Sequence, residues 1–104
     1  MKYTGKVRAD CLLSDSAFNF IDKQNTENGD IVFEVEDDMA LAVAEEMSIN
    51  FKPGANIAVV KNEYDTLVAF PNKIFRFTPK EPERRQKALD YAKTLSIPEA
   101  KIDF

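Results

Sequence analysis

The chain has no histidine, which removes the side chain most often used as a general base near neutral pH and as a zinc ligand. It has one cysteine, Cys11, so no internal disulfide framework exists. Cys11 stands beside Leu12 and Leu13 and reads as a small core residue. As a nucleophile it would need a neighbour that lowers its thiol pKa and a base; Arg8 is close in sequence but cannot serve as a base. There are only three glycines, Gly5, Gly29 and Gly54. They form neither a phosphate-cradling loop nor a nucleophile elbow, and each reads as a turn or strand-end residue. Long apolar runs are missing as well. The longest nearly apolar run covers residues 39–44, six residues, against ~20 for a membrane span. Met1-Lys2-Tyr3 leads into alternating residues rather than a signal-like apolar stretch. The expectation is a cytoplasmic protein with no membrane association and no cofactor.

What is present suits a globular chain. Of its 104 residues, 44% are hydrophobic and 31% charged, which predicts one folded domain over 1–104 with a single hydrophobic core. Residues 3–9 alternate loosely around Val7 and predict a strand. Leu13, Ala17 and Ile21 recur at helical spacing, with Ser14 or Ser16 as N-cap, and predict a helix over 13–24. Asn25-Thr26-Glu27-Asn28-Gly29 is turn chemistry. Ile31, Phe33 and Val35 alternate with Val32, Glu34 and Glu36, the pattern of a strand with one dry and one wet face. Ala40, Val43, Ala44 and Met47 form the buried stripe of a second helix, with Asp37 and Asp38 at its start. Residues 57–60, 66–70 and 73–78 read as a three-stranded meander, in which Phe75 and Phe77 are core residues beneath a helix. Pro82 opens a last helix whose stripe is Ala88, Tyr91, Ala92 and Leu95, and residues 97–104 form a packed tail or a short strand. The order is β-α-β-α-β-β-β-α. It predicts an α+β fold: a mostly antiparallel sheet of about five strands with three helices packed on one face.

Charge is unevenly placed. No basic residue lies between Lys23 and Lys52, a stretch with eight acids; the first 52 residues carry −6 and the remaining 52 carry +2. Glu34, Glu36, Asp37 and Asp38 are therefore candidate interaction residues. They read as a solvated face neutralised by the basic C-terminal half, as a docking surface for a basic protein, or as oxygen ligands for a divalent metal. No calcium-loop or zinc motif accompanies them. Tyr64, at an expected hairpin tip, is a candidate partner anchor. Arg84 and Arg85, with Arg76, are the residues a nucleic-acid reading would use, but they do not form one basic helix face, and the net charge of −4 opposes it. The leading expectation is a small non-catalytic interaction domain, an adaptor, inhibitor or regulatory subunit, with homodimerisation through edge strands as one mode. A nucleic-acid-associated protein and a carboxylate-based or metal-dependent enzyme are the alternatives.

Overall fold

The computed structural model describes residues 2–102 and 104. Its strands are β1 (Lys2–Arg8), β2 (Lys23–Glu27), β3 (Asp30–Glu36), β4 (Ala58–Lys61), β5 (Thr66–Phe70) and β6 (Lys73–Phe77). Helix α1 spans Ala40–Asn50 and α2 spans Pro82–Thr94; short 3-10 turns cover Ala9–Cys11, Ser16–Phe20 and Glu99–Lys101. The six strands form one sheet in the order β2-β3-β1-β4-β5-β6, and every neighbouring pair is antiparallel. The expected α+β class and antiparallel sheet are observed.

Three local expectations fail. The helix over 13–24 is replaced by the 3-10 turn Ser16–Phe20 and the edge strand β2, and the turn expected over 25–29 shrinks to Asn28-Gly29 because 25–27 belong to β2. The cause is the hairpin that follows. Asn28 and Gly29 adopt φ of 51° and 85°, the left-handed geometry of a two-residue turn that matches strand twist. Once that turn forms, residues 23–27 pair with β3 from Glu27↔Asp30 to Lys23↔Glu34. Gly5 is also not at a turn or a strand end. It sits in the middle of β1, opposite Phe33 on one side and Val60 on the other.

The arrangement of helices is different too. There are two α-helices rather than three, and they lie on opposite faces of the sheet. Successive strand residues point to opposite faces. Leu67 and Ala69 of β5 pack with Val43, Ala44 and Met47 of α1, in a cluster that also holds Tyr3, Val7, Phe33, Val35 and Val60. Val68 and Phe70, the alternate residues, pack with Ala88 and Ala92 of α2 and with Phe77 and Ile97. The interior is thus two clusters joined through β5, not one core. Phe75 and Phe77 do lie beneath a helix, as expected, and that helix is α2.

Helix ends follow local rules. Pro82 occupies the first turn of α2, and the Glu81 carboxylate accepts the Thr78 N–H at 3.0 Å. At the other end Ser96 turns left-handed with φ 58°, Ser96 N–H donates to Lys93 O and Ile97 N–H donates to Ala92 O. These two bonds satisfy carbonyls the helix leaves free. They also aim the tail back under α2, where Ile102 and Phe104 join the second cluster as a packed tail. Among the described residues no helix is long and apolar enough to cross a membrane.

Candidate functional site

The acidic residues singled out from the sequence do not act as one group. Glu34 and Glu36 lie on the sheet face opposite α1. Glu34 is 3.9 Å from Lys23 Nζ, and Glu36 is 3.8 Å from Lys2 Nζ. Lys2 also stands 3.1 Å from Asp22, whose hydrogen bond is the main cause of a raised ammonium pKa. The cations beside Glu34 and Glu36 therefore come from β1 and β2, while Asp30 of the same acidic stretch is met by Lys101 from the C-terminal half. Asp37 and Asp38 are exposed in the turn before α1, which starts at Ala40. Among the described residues no three acidic or cysteine side chains are grouped closely enough to hold a metal ion.

Helix α1 has an unusual outer face. Its inner stripe of Ala40, Val43, Ala44 and Met47 is buried. Leu41 and Ile49 nevertheless point outward, and Ile49 is 64% exposed. With Glu45 and Ser48 they form one wall of a groove of about 420 Å³, whose other wall is Asn72, Lys73 and Ile74. Two hydrogen bonds fix the walls together. Ser48 Oγ donates to the Phe70 carbonyl at 2.7 Å, and Asn72 N–H donates to the Ser48 carbonyl at 3.0 Å. At the C-terminal end of α1, Leu13 N–H donates to Asn50 O at 2.7 Å, which holds a 68% exposed leucine beside the helix. Phe20 is exposed at the end of the 3-10 turn that packs against α1. Among the described residues, four of the five exposed large apolar side chains thus belong to α1 or to segments held against it; the fifth is Tyr64.

Tyr64 lies in the β4–β5 turn, where Asn62 Oδ1 accepts the Tyr64 and Asp65 N–H groups at 2.8 and 2.9 Å. This local bond shapes the turn and leaves the ring outside. The arginines are dispersed. Arg76 Nη2 and Nε reach Asp65 at 2.6 and 2.8 Å from the α1 side of β6. Across the sheet on α2, Arg84 Nε is 3.2 Å from Glu81, while Arg85 Nε donates to the Phe104 carbonyl at 2.9 Å. No common surface gathers the three.

Asp65 also accepts the Tyr3 hydroxyl at 2.7 Å. Burial, and then this carboxylate, push the Tyr3 phenol above its ordinary pKa. A folded-state value raised above the unfolded one contributes stability that is present below about pH 10 and lost as pH rises through the folded value. Thermal melts from about pH 8 to about pH 11 should therefore show a loss of stability at the alkaline end. Tyr3→Phe should flatten that loss and cost about 1–2 kcal/mol at neutral pH, through the broken bond to Asp65. An unchanged alkaline slope in Tyr3→Phe contradicts the assignment.

Cys11 is half-buried against the first cluster, and burial, then Asp10, raises its thiol pKa, so it is held as a neutral thiol. The sequence reading missed one buried charge. Asp30 is 6% exposed, with Lys6 Nζ and Lys101 Nζ each 3.6 Å away. It opens β3 directly after Asn28-Gly29 and stands in the sequence as one more acid of the acidic stretch. Its partners come from β1 and from the chain's far end, so no local pattern signals them.

No family model matches this chain, and neither a curated protein nor a solved structure matches it.

Proposed function

We propose that the chain is a non-catalytic protein-interaction module that captures a basic, apolar segment of a partner protein on the outer face of α1. The observation that carries this is the pairing of exposed Leu41 and Ile49 with a helix whose only charges are acidic. Glu45 and Glu46 lie within α1 and Asp37 and Asp38 just before it, with no basic residue from 24 to 51. Exposed apolar side chains on a helix that carries only acidic charge suit a partner with matching apolar groups and basic charge, and Lys73 on the facing wall is the one cation among the described residues of the groove lining.

The same features argue against self-association through this face. A two-fold contact between the outer faces of α1 would set Glu45 and Glu46 near their own copies with only Lys73 in the groove lining to offset them. The sheet edges suit it little better. Strand β2 is Lys-Gln-Asn-Thr-Glu, exposed throughout, and β6 is five residues long, carries Lys73 and Arg76, and is flanked by Pro71 and Pro79. Short, charged, proline-flanked edges discourage strand pairing.

The test is quantitative co-purification of partners from the native host with the tagged chain. Leu41→Ser with Ile49→Ser removes two apolar anchors, each worth roughly 1.5 kcal/mol or more, and should weaken capture about 100-fold. Glu45→Lys should weaken it by slowing encounter and repelling a basic segment. Arg84→Glu with Arg85→Glu should leave it unchanged. Capture that survives both α1 variants, with the fold intact, rules the proposal out.

A further inference from the structure

We infer that the cavity beneath the C-terminal 3-10 turn, between Lys6, Arg8, Asp30 and Lys101, binds a small organic carboxylate. This cavity lies across the sheet from the α1 groove and is independent of it. Lys6 and Arg8 alternate with the buried Val7 of β1, so both point to the face opposite α1. Lys101 reaches the same place from the turn Glu99–Lys101. Together these groups line a recess of about 90 Å³.

The charges do not balance. Arg8 is engaged by Asp10, its Nε 3.2 Å and its Nη2 3.3 Å from the two carboxylate oxygens. The single charge of Asp30 then faces two ammonium groups, Lys6 on one oxygen and Lys101 on the other, each at 3.6 Å. That separation is longer than a formed N–H···O bond, so both ammonium groups keep donors for another acceptor. Among the described residues lining the recess one positive charge is left over, inside a chain whose net charge is −4. An anion of one charge completes it; a cation is repelled.

The remaining walls select the rest of the ligand. Ala55, Ile57, Val59 and Ala100 line the cavity with aliphatic surface. Inorganic phosphate has nothing to place there. A carboxylate with a short hydrocarbon tail puts its head on the lysines and its tail on Ile57 and Val59. The volume exceeds that of one water and suits a chain of about four carbons.

The experiment is an NMR titration of the full chain with sodium butyrate, with inorganic phosphate and butylamine as controls. Butyrate should give saturable shifts at the Lys101 amide and the Val59 and Ala100 methyls, with a dissociation constant in the millimolar range. Butylamine and phosphate should not saturate there. Lys6→Gln, at an exposed position, should weaken butyrate about tenfold. Asp30→Asn removes the competing carboxylate and should tighten binding several-fold, an effect that a purely structural ion pair does not produce. The inference is overturned by no saturable response to butyrate, by equal binding of phosphate at the same residues, or by weaker butyrate binding in a folded Asp30→Asn chain.

Discussion

Gly5→Val should destabilise the protein by about 3 kcal/mol or more, lowering its melting temperature by roughly 12–20 °C. A Cβ built on Gly5 stands 2.7 Å from Phe33 Cε1 and closer still to two other atoms of the ring. The ring cannot swing aside freely. Phe33 is 1% exposed and meets the Phe18 ring edge-on at 6.2 Å. To admit even a methyl group, Phe33 must leave its rotamer or β1 must part from β3, and β1 is an inner strand of the sheet. Glycine here is required by close approach, not by backbone angle, since Gly5 is not among the residues with positive φ. The ring's role has its own check. Phe33→Leu should cost stability alone but recover part of the loss in Gly5→Ala, because the smaller side chain makes room. A double-mutant cycle by thermal melts measures that coupling. Gly5→Ala that stabilises the protein, as the better strand propensity of alanine alone predicts, contradicts the packing.

The second large effect is Phe70→Ala, expected to cost about 3–5 kcal/mol. Phe70 is fully buried, and its ring meets Phe75 at 5.8 Å and Tyr91 at 5.0 Å, both near T-shaped. It ties α2 to the sheet, and the cavity it leaves opens on the α2 side alone. Hydrogen exchange should therefore rise more in α2 than in α1. Met47→Ala, which empties the α1 side, should reverse the order, because Met47 packs with Leu67 and Ala69 rather than with Val68 and Phe70. Equal loosening of both helices by either substitution contradicts the division of the interior by the sheet.

Periodicity made most of the elements legible. Ile31, Phe33 and Val35 announced β3, and the stripe from Ala40 to Met47 announced α1, because in both a buried side alternates with a wet one. Strand β2 had no such signal. Its five residues are polar and exposed, and they become a strand only because Asn28-Gly29 folds them onto β3. Leu13, Ala17 and Ile21 mimicked a helix stripe, but only Ala17 lies in the 3-10 turn, whose Phe18 meets Phe33, while Leu13 is exposed beside α1. The burial of β5 on both faces was also hidden, since Leu67, Val68, Ala69 and Phe70 form a continuous apolar run whose two sides look alike in sequence. At the candidate site the absence of basic charge from 24 to 51 was plain, but it drew attention to Glu34 and Glu36, which lysines of β1 and β2 already neutralise. The exposed leucine and isoleucine of α1 stood out only once their neighbours were seen to be buried. The Asp30 cavity joins residues from both ends of the chain and left no trace in any window of sequence.

Zero-length carboxylate-to-amine cross-linking in a native host extract, read by mass spectrometry, tests the docking account most directly. Cross-links are expected from Asp38 and Glu45 of this chain to lysines of one partner segment, lost when Leu41 and Ile49 are both changed to serine. Cross-links confined to the α2 side of the molecule, or joining Asp38 and Glu45 to lysines of a second copy of the chain, would contradict it.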